Sequence, residues 1–177
     1  FPKYGTAAMT EITNALGGLP TRNFSDGRFT GADKINGEAQ YQTIISRGGE
    51  GSPTHGCMPG CMIRCSNIYA DERGKTVVAP LEYETISLLG SNLEIDDLDA
   101  IAEANRQCND YGVDTIEIGC AIGVAMEAGV ASFGDAKALV NLMKEVVSDT
   151  WLGRILAAGC VVTGKTLGIH RVPAVKG

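Results

Sequence analysis

Three cysteines fall within one short run, Thr54-His55-Gly56-Cys57-Met58-Pro59-Gly60-Cys61-Met62-Ile63-Arg64-Cys65-Ser66-Asn67, at the spacing Cys-x3-Cys-x3-Cys. Thiolates are soft ligands that select iron–sulfur clusters, zinc or copper(I). Two local conformations gather such thiols. Gly56, Pro59 and Gly60 allow a loop that curls tightly around a bound object, whereas an interrupted helix would set Cys57, Cys61 and Cys65 one turn apart on one face. Three ligands from one loop and a fourth from elsewhere is a common way to hold a four-iron cluster. The competing readings are weaker. Buried free cysteine is the ordinary role of Cys108, Cys120 and Cys160, but the Gly, Pro and Arg64 around the triplet suit a core poorly. Disulfides would leave one of the three unpaired. Zinc usually shows Cys-x2-Cys knuckles, which are absent. Spacing therefore favours an iron–sulfur cluster.

The chain has 177 residues, 44% of them hydrophobic, enough for a single domain with a sizeable core. No apolar run approaches a membrane span. The formal net charge of −6 argues against nucleic acid as a partner. Six cysteines, three in a metal-type loop, point to a reducing cytoplasm. The chain opens on Phe1 and closes on Val172-Pro173-Ala174-Val175-Lys176-Gly177. It reads as an internal piece of a longer polypeptide.

Local signals predict mainly helices. Residues 6–16 read as a helix stopped by Gly17-Gly18. Leu19 to Phe24 reads as extended, because a residue before proline avoids helix, with a turn at residues 25–27. Residues 31–46 read as one helix with Ile35, Ala39, Gln42 and Ile45 on one face, weakened by Gly37. A small hairpin over 67–78 turns at residues 71–74. Pro80 is placed in the first turn of a helix ending at Gly90. Its early acids, Glu82 and Glu84, are either proton-transfer groups near the metal loop or acids that favour the helix dipole in solvent.

The second half reads as helix after helix. Asp96 caps residues 97–110, with Leu98, Ile101, Ala102, Asn105 and Cys108 at helical spacing, and Gly112 stops that helix. Asp114-Thr115-Ile116-Glu117 forms a capping box for a helix to about residue 128. Another helix follows over 135–147. Residues 148–150 cap the last, with Trp151, Leu152, Ile155, Leu156 and Cys160 inside and Gly168 at its end. No strand alternates with these helices, so a parallel sheet is not expected. The expected fold is mainly α, a multihelical domain with a Gly/Pro/Cys-rich loop and at most a small β-hairpin. The corner at Asn109, Gly112, Val113 and Asp114 offers helix amides and side-chain acceptors to an anion or heterocycle; the residues alone favour the plainer reading, a helix–turn–helix joint with a capping aspartate.

Beyond these local signals, GLPTRNF (18–24), the cysteine loop, EYETISLLGSNLEIDDLDAIAEANRQCNDYGVDTIEIG (82–119) and HRVPAVKG (170–177) together resemble the tungsten-dependent aldehyde:ferredoxin oxidoreductase family, almost end to end. The resemblance implies the middle, cluster-bearing domain of a three-domain enzyme that oxidises aldehydes to carboxylic acids. It implies a [4Fe-4S] cluster on Cys57, Cys61 and Cys65, with a fourth cysteine from the third domain, beyond Gly177. It implies tungsten (or molybdenum) between two pterins, one seated by Asn109, Gly112, Val113 and Asp114. Glu84 or Glu82 would be the proton acceptor. Ferredoxin or another electron carrier, the remaining domains of the same polypeptide and a homo-oligomeric partner are the implied contacts. Related chemistry includes the tungsten subunit of an aromatic acyl-CoA reductase; a non-catalytic iron–sulfur or assembly module is the reading from another class. This sequence departs from the family pattern in four places. The first cysteine gap is three residues rather than two. Asn109 stands for aspartate, Val113 for leucine, and Arg106 for the histidine of an E-x-x-H motif that holds a metal at a dimer interface, so no metal is expected through Glu103.

Overall fold

The computed structural model describes residues 1–175; Lys176 and Gly177, the end of the last resemblance block, lie outside the described residues. Among the described residues the fold is mainly α, with nine α-helices and a three-stranded antiparallel sheet in the order β1-β2-β3. The expected hairpin is β2 (Ser66–Ala70) with β3 (Thr76–Val78), paired Tyr69 to Val78. A third strand not anticipated from sequence, β1 (Ser52–His55), adds to the edge of β2, with His55 opposite Ser66. Pro53 hides β1 from pattern reading, since proline is tolerated only at sheet edges, and β1 is one.

Helix α1 (Met9–Leu16) ends at Gly17 in the left-handed conformation, as expected. Residues 22–24 are not extended. Arg22, Asn23 and Phe24 all take positive φ, of 49°, 49° and 57°, around a turn closed by a Thr21–Asp26 bridge. Tertiary bonds impose that backbone: Asn23 N–H donates to the Asn92 carbonyl at 3.0 Å and Phe24 N–H to Asn92 Oδ1 at 3.2 Å. The single helix expected over 31–46 is two, α2 (Ala32–Ile35) and α3 (Gly37–Arg47), broken at Asn36, whose Oδ1 caps Ala39 N–H at 2.9 Å. Gly37 begins α3 because a Cβ there would meet Tyr4 Cβ at 2.8 Å. The inward face of α3 is Gly37, Gln40 and Ile44, while Ile45 is half exposed.

Helix α4 (Tyr83–Leu89) starts later than expected and leaves Pro80 outside, because the Leu81 backbone is bound by Asn67 instead. Helix α5 (Leu98–Tyr111) is capped by Asp97, not Asp96; Asp97 Oδ1 accepts from Asp99 and Ala100 N–H, and Asp96 pairs with Lys34 at 2.6 Å. Its expected inward residues, Leu98, Ile101, Ala102, Asn105 and Cys108, are all buried.

Helix α6 (Thr115–Glu127) is buried continuously from Ile118 to Met126, as a helix apolar on every side must be. Gly119 lets it cross α4 closely, since a Cβ there would sit 2.7 Å from the Leu88 carbonyl oxygen. Helix α7 (Ala136–Val146) is capped by Asp135. The expected final helix is broken at residues 158–159 into α8 (Trp151–Ala157) and α9 (Cys160–Leu167), with Gly159 at φ 89°. Trp151 is 62% exposed rather than inside. Buried Tyr69, Leu81, Ile86, Ile101, Ile122 and Leu139 join sheet and helices in one core.

Candidate metal and cofactor site

Strand β1 turns the cysteine segment into the loop of a β-hairpin. Residues 56–65 leave the sheet after His55 and return at Ser66, the two residues being directly paired. The loop ends are therefore held together, which brings Cys57 close enough to Cys65 to act on its thiol electrostatically. No helix forms here, so the interrupted-helix alternative is excluded. At the tip Cys61 N–H donates to the Met58 carbonyl at 3.3 Å, with Pro59 and Gly60 at the corners and Gly60 at φ 79°, the residue pair a type II turn requires. On the far side Gly5 packs on the loop; a Cβ there would lie 3.0 Å from Cys65 Cα.

The three thiols have different surroundings. Cys61 Sγ accepts from the Arg64 and Ile63 amides, which hold its pKa below the ordinary thiol value. Cys65 meets the Glu82 carboxylate, which holds its proton and pushes its pKa up, with burial adding to the effect. Cys57 is exposed and Cys61 and Cys65 are half-buried. Burial holds Cys108 and Cys120 at about 12 and Cys160 at about 11, which leaves those three as inert core thiols. Among the described residues no three or more His, Cys, Asp or Glu side chains converge on a point as a single metal ion would need. A cluster is held at its corners instead, and amide donors to sulfur suit it. Three cysteine thiols with amide donors nearby are a donor set that fits such a cluster.

The second candidate element is the corner between α5 and α6. Gly112 is left-handed, at φ 70°, and Val113 N–H returns to the Cys108 carbonyl at 3.0 Å, a Schellman closure. Asp114 Oδ2 caps Glu117 N–H at 2.7 Å. The capping box is only half formed, because the Glu117 carboxylate turns away to Cys160 N–H. Asn109, Gly112 and Asp114 are exposed and Val113 is half-buried.

Tertiary structure links these elements. Glu82, at the start of α4, lies near enough to Cys65 to raise its pKa. Thr85, one residue beyond the exposed Glu84, shares a hydrogen bond of 3.0 Å with Thr115, the residue after Asp114. Glu82 and Thr85, at the start of α4, thus link the cysteine loop to the corner, while Glu84 is exposed.

Comparison with known proteins bears directly on this arrangement. The family model described as aldehyde ferredoxin oxidoreductase, domains 2 and 3, matches residues 1–177. The chain belongs to the aldehyde ferredoxin oxidoreductase family. It is 41% identical over 126 residues to the tungsten-containing aldehyde ferredoxin oxidoreductase of Thermococcus kodakarensis, covering 71% of this chain and 20% of that protein. It is 42% identical over 126 residues to the enzyme of the same name from Pyrococcus horikoshii, covering 71% of this chain and 19% of that protein. A more distant likeness, 29% over 116 residues, joins 56% of this chain to 18% of the WOR-like subunit of an aliphatic sulfonate oxidoreductase from Pyrococcus furiosus. The matched stretch is thus about a fifth of each relative's length.

Within this member of the family, Arg106 forms a fork to Glu103, at 2.9 and 2.6 Å, and Gln107 donates to the same carboxylate at 2.7 Å. Both Glu103 oxygens are engaged, and Arg106 holds its pKa low. Sequence reading missed three residues that build the site: Gly5, Gln40 and Asn67. Gln40 and Asn67 are ordinary polar residues in sequence, and only their burial marks them.

Proposed function

We propose that this chain is the cluster-bearing middle domain of a longer, three-domain tungsten–pterin oxidoreductase that converts aldehydes to carboxylic acids in the cytoplasm and passes electrons to ferredoxin. Family membership supports the class of reaction. The observation that carries the reading is the three-cysteine loop closed by the His55–Ser66 pairing, with α4 bonded to the α5–α6 corner through Thr85 and Thr115. Cys57, Cys61 and Cys65 would hold three corners of a [4Fe-4S] cluster. Asn109, Gly112, Val113 and Asp114 would seat a pterin through the exposed corner, where side-chain acceptors meet ring N–H groups. When bound, tungsten supplies a two-electron acceptor and the cluster a one-electron path outward. The chain's own contribution is to orient and to move protons. Glu84, exposed at the start of α4, takes up the proton released from the hydrated aldehyde on a carboxylate oxygen, with Glu82 as the second acceptor, a role worth roughly 10²–10⁴ in rate.

The test is anaerobic production of the full-length protein with tungstate, followed by tungsten, iron and sulfide analysis and assay of aldehyde-dependent ferredoxin reduction. Metal content with aldehyde turnover supports the reading. Metal content with turnover of an aromatic acyl-CoA and none of aldehydes overturns the substrate, and a protein that binds no tungsten overturns the enzyme class.

A further inference from the structure

We propose that the cysteine loop carries an apolar docking surface made by Met58, Met62 and Ile63, and that its occupant is another segment of the same polypeptide, outside residues 1–177. The proposal rests on the reading of this chain as one domain of a longer protein. Met58 is 69% exposed, Met62 81% and Ile63 41%. Single exposed apolar side chains are ordinary, but three on one short loop form a patch, and patches mark interaction sites. Across residues 56–65 the only charged side chain is Arg64. The turn between β2 and β3 is the opposite case: Asp71-Glu72-Arg73-Gly74 has three charges and no apolar side chain. The backbone that presents the patch is held. Its ends are fixed by the His55–Ser66 pairing, its tip by the Cys61 N–H bond to the Met58 carbonyl at 3.3 Å, and its return by Gly5 against Cys65. Arg64 takes φ 54°, a left-handed conformation that a non-glycine residue keeps only where its neighbours impose it.

A segment of the same polypeptide fits this patch best. The matched stretch is about a fifth of each relative's length, so most of such a polypeptide lies outside it. On the cluster reading a fourth ligand comes from elsewhere, and Cys108, Cys120 and Cys160 belong to the core. The segment that brings that ligand has to lie against this loop. An electron carrier comes and goes, and needs a contact that separates readily. Two methionines and an isoleucine with a single charge beside them suit a permanent interface, which is the more apolar kind. Methionine also adapts to an uneven facing surface. Covering the patch closes the exposed Cys57 off from water, and a hydrophobic shell of that kind controls solvent access to a metal site.

The test is incorporation of photo-methionine into the full-length protein, followed by illumination and mass spectrometry of the linked peptides. Positions 58 and 62 should link to peptides of the same polypeptide outside residues 1–177, while the buried Met126 and Met143 link within these residues. In the unlabelled protein, peroxide should oxidise Met58 and Met62 roughly tenfold more slowly in the native state than after denaturation. Met62→Glu should raise the native rate at Met58 by roughly fivefold, and Met62→Leu, which keeps the volume, should leave it unchanged. Links between light and heavy copies in a mixed preparation would put a second copy on the patch, and links that form only with added ferredoxin would put the carrier there. Either result overturns the proposal, as does oxidation at the denatured rate without links. A natural polypeptide no larger than the 18.6 kDa of these residues would instead overturn the longer-protein reading. A protein that keeps the links but binds no iron would overturn the cluster reading alone.

Discussion

Glu117 Oε1 accepts the backbone N–H of Cys160 at 2.7 Å, across 43 positions of sequence. The third residue of α6 therefore caps α9, whose own preceding residue, Gly159, has no side chain to do it. A Cβ on Gly159 would stand 2.5 Å from that same Glu117 oxygen. Glu117→Ala should loosen the start of α9 by about 1 kcal/mol, the usual worth of a cap, read as faster hydrogen exchange across Cys160–Leu167. Gly159→Ala should cost more, since φ 89°, ψ 175° is a region essentially confined to glycine, a penalty of about 1–3 kcal/mol. Unchanged α9 protection in Glu117→Ala would show that the bond contributes nothing.

The cysteines divide into two classes that substitution separates. Cys61→Ser or Cys65→Ser in the full-length protein should abolish the iron–sulfur EPR signal and electron transfer. Cys160→Ala should keep both, at a stability cost of about 1–2 kcal/mol, because Cys160 is 1% exposed within the core. Loss of the cluster in Cys160→Ala with retention in Cys65→Ser would refute the assignment.

Asp114 tests the corner. Its cap on Glu117 N–H survives in Asp114→Asn, since asparagine caps about as well. A pterin seat predicts a near-normal melting temperature with reduced tungsten and pterin content, because a charged acceptor binds ring N–H groups more strongly than a neutral one. Asn109→Asp should leave cofactor content equal or higher. Unaltered tungsten in both Asp114→Asn and Asp114→Ala would reduce residues 109–114 to a joint between helices.

The sheet is tied to α5 and α3 by an acid-sensitive clamp. Arg47 binds Asp99 bidentately, at 2.7 Å twice, and Tyr69 OH donates to Asp99 Oδ1 at 2.9 Å. Arg47 holds the Asp99 pKa below its ordinary value. A depressed carboxylate contributes stability that is complete above its unfolded pKa, about 3.9, and is lost as pH falls through the lower folded value. Acid unfolding monitored between about pH 5 and 2 should therefore be shallower in Asp99→Asn than in wild type. An identical pH dependence would mean that the pair is fully screened by solvent.

Local sequence signals determined most of the helices. The left-handed stops at Gly17, Gly112 and Gly168, the caps at Asp114 and Thr150 and the inward stripe of α5 depend on residues within a turn or two of one another, so a short window contains their causes. The cysteine spacing is likewise a local feature, with three thiols in nine residues, and it alone raised the reading of a soft-metal loop.

What needed tertiary structure was wherever a distant partner competed for a backbone group. Asn92 bends residues 22–24 out of extended form. Asn67 captures Leu81 and delays α4 to Tyr83. Glu117 abandons its own capping box for Cys160. Long-range bonds also shape the candidate site: pairing of His55 with Ser66 closes the cysteine loop, and the Asn67 amide ties the Cys65 carbonyl to that of Leu81. Sequence spacing determined which donors this protein has; burial, by driving most enclosed amides and carbonyls to find a partner, decided which of them meet.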